Sequence, residues 1–137
     1  MLLDTCFLID LQREYRAGRI GEARRFLQKH SEARFSISVI SATEFLEGFE
    51  RVSDGDRFLR AFTWLEVGAA VCREAAKIRR HLRLSGTLIG DFDILLAATA
   101  RVSNLPLVTD NCGHFDRVSD LQLVHYKAHP RRRSSRR

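Results

Sequence analysis

Proline and cysteine are scarce in this chain: its 137 residues include 2 prolines and 3 cysteines. Cys6, Cys72 and Cys112 form an odd set with no close pair, which argues against a disulfide framework and against zinc. They read as buried or idle thiols. No apolar run approaches the roughly 20 residues of a membrane span. The first residues lack a basic leader and are interrupted by Asp4 and Asp10, a poor signal peptide, so the expected location is the cytoplasm. There is no glycine-rich phosphate loop and no Gly-x-Ser-x-Gly elbow, and the 5 histidines lack metal-binding spacing. What remains is ordinary globular composition, 45% hydrophobic and 29% charged, enough for one domain with its own core.

The formal net charge is +6, a value that suggests a nucleic-acid partner. Its distribution changes the meaning. Lys127, Arg131, Arg132, Arg133, Arg136 and Arg137 lie beyond the last acid, Asp120. Without those six, 17 of the 23 basic residues face 17 acids. The body is neutral, and the excess belongs to a segment over 127–137 that reads as a disordered extension. Such a tail can hold phosphates by counterion release or simply stay solvated.

Strand and helix patterns alternate along the rest. Leu2-Leu3 reads as a first strand, followed by a helix over 5–13. Ile20, Ala23, Phe26 and Leu27 recur with helical spacing. The period-two run 35–40 reads as a second strand, with a helix opening at Ser41. Asp54-Gly55-Asp56 reads as a turn before another helix, and 64–67 as a third strand. The spacing predicts a helix over 69–84, broken by Ser85-Gly86-Thr87, and a very apolar helix over 92–102. Residues 106–109 and 121–124 complete a set of about five strands, and helices between strands predict a parallel α/β sheet covered on both faces.

Acids stand where apolar residues dominate. Asp4 and Asp110 each follow an apolar strand, at the carboxyl edge where open parallel sheets bind ligands; either also suits a helix or turn cap. Ser41-Ala42-Thr43-Glu44 matches a capping box, but Glu44 precedes Phe45 and Leu46, and Gly48 leaves room for another element. Asp91 fits an N-cap. Asp93 shares a face with Ala97 and Ala100 in an almost wholly apolar helix, and the helix dipole is too weak to account for a carboxylate there. Carboxylates that converge with no base in sight require a cation, and oxygen ligands select Mg²⁺ or Mn²⁺. Such an ion serves phosphodiester hydrolysis.

Four segments carry a resemblance. They are Leu3-Asp4-Thr5, the run 38–48 around Glu44, the run 88–98 around Asp93, and the run 107–115 from Leu107-Val108-Thr109-Asp110 to His114-Phe115. Their order and spacing resemble a PIN-domain ribonuclease, most closely the VapC toxins of bacterial toxin–antitoxin pairs, over residues 1 to about 125. The resemblance implies an α/β/α sandwich over 1–126 and a Mg²⁺- or Mn²⁺-dependent endoribonuclease that hydrolyses RNA with metal-activated water. It implies Asp4, Glu44 and Asp93 as catalytic metal ligands. It also implies a homodimer and a small antitoxin partner. Where the family often carries an acid before the last Phe, this chain has His114; Asp110 or Asn111 is then the candidate for the missing oxygen. The competing expectations are a PIN-like module that binds RNA or protein without cleavage, through the tail and the Arg73/Lys77/Arg80 stripe, and a PIN nuclease of RNA maturation.

Overall fold

The computed structural model describes residues 1–128. Five strands, β1 (Leu2–Leu3), β2 (Ser36–Ser38), β3 (Thr63–Leu65), β4 (Leu107–Thr109) and β5 (Leu123–His125), form one sheet in the order β3-β2-β1-β4-β5. Every pairing is parallel, with Leu3 opposite Ile37 on one side and Val108 on the other. Parallel strands need long crossovers. Helices α1 (Thr5–Arg16), α2 (Glu22–Lys29), α3 (Val39–Glu47), α4 (Val52–Leu59), α5 (Ala69–Leu84) and α6 (Asp91–Val102) supply them, and a short α7 (Cys112–Phe115) follows β4.

Alternation along the central strands divides the core. Leu2 and Leu107 face a cluster with Val71, Ile78, Leu82, Ile94 and Ala97 of α5 and α6. Leu3, Ile37 and Val108 face the opposite cluster, with Phe7, Leu11, Phe26 and Phe45 of α1 to α3. Successive strand residues point to opposite faces, so two residues of β1 are enough to serve both layers. This is the expected α/β/α sandwich. Among the described residues no helix is long and apolar enough to cross a membrane.

Three local expectations are corrected. The strand read over 35–40 stops at Ser38, which caps α3 by accepting a hydrogen bond from the Ile40 amide at 3.1 Å. The helix therefore begins at Val39, two residues before Ser41, and the proposed capping box is not formed. The Asp54-Gly55-Asp56 turn lies inside α4. Gly55 is buried there because a Cβ would stand 2.7 Å from Phe49 and 2.8 Å from Leu46, so its missing side chain seats α4 on α3. Gly48 makes no such room; it is exposed and caps the C-terminus of α3. Gly86, at φ +68, ends α5 where the sequence placed the break.

Lys127 and Ala128 were read as the start of the tail, yet both are tied to the domain. The Lys127 ammonium pairs with Asp10 at 2.8 Å and Asp110 at 3.2 Å, and the Ala128 amide donates to Glu22. The remainder of the predicted tail, 129–137, lies outside the described residues.

The candidate acidic site at the carboxyl edge

Strand order determines where a ligand can sit. The chain builds outward from β1 through β2 to β3, then crosses back to β4 and out to β5. The reversal falls between β1 and β4, and the diverging connections leave a crevice at their carboxyl ends. Asp4 lies there, its amide donating to the Val108 carbonyl at 3.0 Å. Both of its carboxylate oxygens are engaged. Oδ1 accepts from the Thr5 amide at 2.7 Å, capping α1, and Oδ2 accepts from the Thr109 hydroxyl at 2.6 Å and from the Cys6 thiol at 3.3 Å. The cap and the edge position are thus two uses of one side chain.

Glu44 comes from α3, after the neighbouring strand, and accepts from the Thr5 hydroxyl at 2.9 Å. Asp93 comes from the first turn of α6, half-buried, with Ala97 and Ala100 beneath it fully covered. Burial raises the Asp4 and Glu44 carboxyls above their ordinary range. The Asp93 charge raises both further, and that of Asp4 acts on Glu44 as well. The three acids therefore occupy one electrostatic neighbourhood, although 89 positions separate Asp4 from Asp93. Among the described residues, no three histidine, cysteine or carboxylate groups stand close enough to enclose one ion as they are arranged.

His114 is half-exposed on α7, with Nδ1 3.0 Å from Asp93 Oδ2 and 3.2 Å from the Asn111 side-chain amide. It is the only ion-pair partner of the three acids among the described residues, and only when protonated. Asp110 belongs to a different group: it pairs with Lys127, which also holds Asp10, while the Tyr126 hydroxyl donates to Asp10 at 2.7 Å. Burial pushes the Asp10 carboxyl up, but Lys127 and Tyr126 outweigh it and hold it below the usual range. Asp91 is not the N-cap of α6. Gly90 takes that place and Asp91 pairs with Arg79 at 2.9 Å.

Sequence reasoning assigned no role to Thr5, Cys6 or Thr109. The Thr109 hydroxyl links the two sides of the crevice, donating to Asp4 and accepting from the Asn111 amide at 2.9 Å. Cys6 touches Asp4, and its sulfur accepts from the Asp110 amide at 3.5 Å; burial raises its thiol to about 11, so it stays protonated. The available signal was position: each is a small hydroxyl or thiol residue within two places of an acid at a strand end.

The fold and this edge define a class, the small parallel α/β domains with acidic side chains gathered at the sheet's switch point. The model of the PIN domain family matches residues 1–121. Ribonuclease VapC1 of Methanocaldococcus jannaschii is 32% identical over 129 residues, covering 92% of this chain and 86% of its own. Ribonuclease VapC of Rickettsia bellii is 30% identical over 134 residues, covering 90% and 94%. Among solved structures, VapBC2 of Rickettsia felis bound to a DNA fragment from their promoter superposes with a TM-score of 0.80 at 22% identity, covering 92% and 98%. The chain belongs to the PIN-domain family, in its VapC branch.

Proposed function

We propose that this protein is a metal-dependent endoribonuclease, the toxin of a toxin–antitoxin pair, with Asp4, Glu44 and Asp93 as its ligands for Mg²⁺ or Mn²⁺. One observation carries the reading: Asp4 and Glu44 at the switch point are raised by burial and by the neighbouring Asp93 charge, while no lysine or arginine among the described residues pairs with any of the three acids. An arrangement of that kind is stabilised by a hard cation, and an all-oxygen donor set suits Mg²⁺ or Mn²⁺ rather than zinc. The donor chemistry of the three acids fits the ion.

When bound, the ion supplies a water of lowered pKa and neutralises charge at the phosphorus. The chain's own residues do the rest. Thr109 and the Thr5 amide fix Asp4, and the Thr5 hydroxyl fixes Glu44, so two carboxylates are oriented before substrate arrives. His114 Nδ1 holds Asp93 from the solvent side. Asp110, its charge shared with Lys127, is the fourth oxygen source nearest the edge. The relatives named as ribonucleases support RNA as the substrate. A small cognate antitoxin, a homodimeric state and a cytoplasmic location follow from the same family reading.

The test is a titration of Mg²⁺ and Mn²⁺ into purified protein with structured RNA, beside Asp93→Asn and an EDTA control. Cleavage that requires the ion and falls at least about 100-fold in the variant, with an unchanged melting curve, is the expected outcome; losses of that size accompany removal of a group that binds or positions a catalytic metal. RNA binding without cleavage, from protein free of antitoxin, would overturn it in favour of a binding module.

A further inference from the structure

A neutral body poses a problem for an enzyme acting on a polyanion, and the problem is greatest where three acids face the substrate. The net excess lies in the C-terminal segment, but within the body itself positive charge is also unevenly placed. Helix α5 concentrates it: Arg73, Lys77, Arg79, Arg80 and Arg83 stand against a single carboxylate, Glu74. Its apolar stripe of Val71, Ala75, Ile78 and Leu82 is buried against α6, so all five cations are forced onto the exposed side. Lys77 has 76% of its side chain exposed.

The placement of α5 relative to the acids follows from its pairs with α6. Glu74 meets Arg101 near the end of α6, and Arg79 meets Asp91 at its beginning. The two helices are therefore antiparallel, and the C-terminal half of α5 lies beside the turn that carries Asp93. Arg117 extends the basic surface across the loop between them, donating to the Leu88 carbonyl. Arg73, Lys77 and Arg80 are spaced four and three residues apart, one charge per turn and about 5 Å along the axis, close to one nucleotide step of an extended strand. The α1–α2 region is basic as well, but there Asp10, Glu14 and Glu22 interleave with the cations. On α5 the one acid, Glu74, lies beside the stripe and is shared between Lys77 at 3.4 Å and Arg101 at 3.1 Å, leaving Arg73 and Arg80 with no acid of their own helix in an ion pair.

We infer that the exposed face of α5 is a binding track for the RNA backbone, running from the acidic edge along Arg80, Lys77 and Arg73. The inference rests on the ribonuclease reading for its ligand but concerns residues with no part in the chemistry. The track holds phosphates by charge, so it contributes affinity for long RNA without selecting sequence. Cleavage of a substrate too short to leave the acidic edge does not use it.

The experiment compares Arg73→Gln/Lys77→Gln/Arg80→Gln with a control of equal net charge, Lys29→Gln/Arg51→Gln/Arg60→Gln, whose residues are exposed on α2 and around α4. Each set is placed in full-length Asp93→Asn protein, and the affinity for a labelled 20-nucleotide single-stranded RNA is measured against salt concentration. Loss of three phosphate contacts should reduce the log–log slope by about 2 and weaken binding on the order of 100-fold near 0.1 M salt. The control should keep both. Equal weakening in the two sets would show diffuse charge rather than a track and overturn the inference. So would an unchanged slope in the α5 set, including the case in which this face binds an acidic protein instead. In the background with Asp93 intact, the α5 set should cleave a trinucleotide at the normal rate and lose activity only on long RNA. If no RNA is cleaved by the unsubstituted protein, the ribonuclease reading fails, while the slope comparison still decides the track.

Discussion

Thr109→Val separates positioning from packing at the acidic edge more cleanly than removing an acid does. The substitution keeps the shape of the side chain and its strand preference, and takes away one hydroxyl. That hydroxyl is fully buried, donates to Asp4 at 2.6 Å and accepts from the Asn111 amide at 2.9 Å. A hydrogen bond to a charged acceptor contributes about 1.5–3 kcal/mol. The Asn111 amide is at the surface, where water can replace the lost acceptor, so it adds little. The expected loss is about 2–3 kcal/mol, or about 6–10 °C in melting temperature for a domain of this size. Thr109→Ser keeps the hydroxyl and loses one methyl group, for about 1 kcal/mol. Thermal unfolding followed by circular dichroism, with EDTA present, reads both variants. The valine variant should also bind Mn²⁺ about 10- to 100-fold more weakly, the usual effect of losing a group that orients a ligand, while the serine variant stays near the parent. Acid should narrow the gap, because Asp4, already raised by burial, then becomes neutral and its bond weakens. A valine variant more stable than the serine one would refute the reasoning: the hydroxyl would then be a buried burden and not the support of Asp4.

Two further outcomes are expected. Glu14 is buried on α1 and accepts from the amides of Gly21, Ala23 and Arg24, closing the start of α2. Glu14→Gln turns a donor toward those amides and should cost about 3 kcal/mol, read as a fall of about 10 °C with metal-dependent cleavage per folded molecule unchanged; loss of cleavage without loss of stability would sink it. The pH dependence of the metal-free protein should report the raised carboxyls. Asp4 and Glu44 hold protons more tightly folded than unfolded, so their contribution to stability is complete below the unfolded pKa of about 4 and is lost as pH rises through the folded values. Asp10, lowered by Lys127, acts in the opposite sense and gives up its contribution as pH falls through its folded value. As pH falls from neutral toward that unfolded value, the melting temperature of the parent should therefore rise relative to that of Asp4→Asn/Glu44→Gln, and parallel curves would contradict the assignment.

The long periodic segments were legible because one tertiary partner decided them. The span of α5 follows from its apolar stripe and from Gly86, and no distant residue is needed to place it. The second strand was overextended because Val39 and Ile40 continue a period-two pattern, while the deciding event is the Ser38 side chain closing on the Ile40 amide. Gly55 was misread for a related reason. A glycine between two aspartates has the local chemistry of a turn, and only the approach of Phe49 and Leu46 makes it a packing residue. The acids themselves were legible from their apolar company. Their supports were not, since Thr5, Thr109 and Lys127 are ordinary until the sheet brings residues 17 to 117 positions apart into contact.

The charges at the carboxyl edge are partitioned, and the partition bears on how many cations the edge can hold. Asp10 and Asp110 have their counter-ion built in, because Lys127 reaches both at 2.8 and 3.2 Å and is itself raised by them, so it stays protonated at any working pH. Among the described residues, Asp4, Glu44 and Asp93 have only His114 as an ion-pair partner, half-exposed and reaching one of the three. A divalent ion drawn to this edge gains most beside the trio, and a second one near Asp110 has to displace an ammonium already in place. Replacing Lys127 with Gln would remove that competitor and leave the Tyr126 hydroxyl on Asp10 intact. The electrostatics thus favour one divalent ion and one lysine side by side, with the fixed lysine charge supplied by the segment that enters the basic C-terminal stretch.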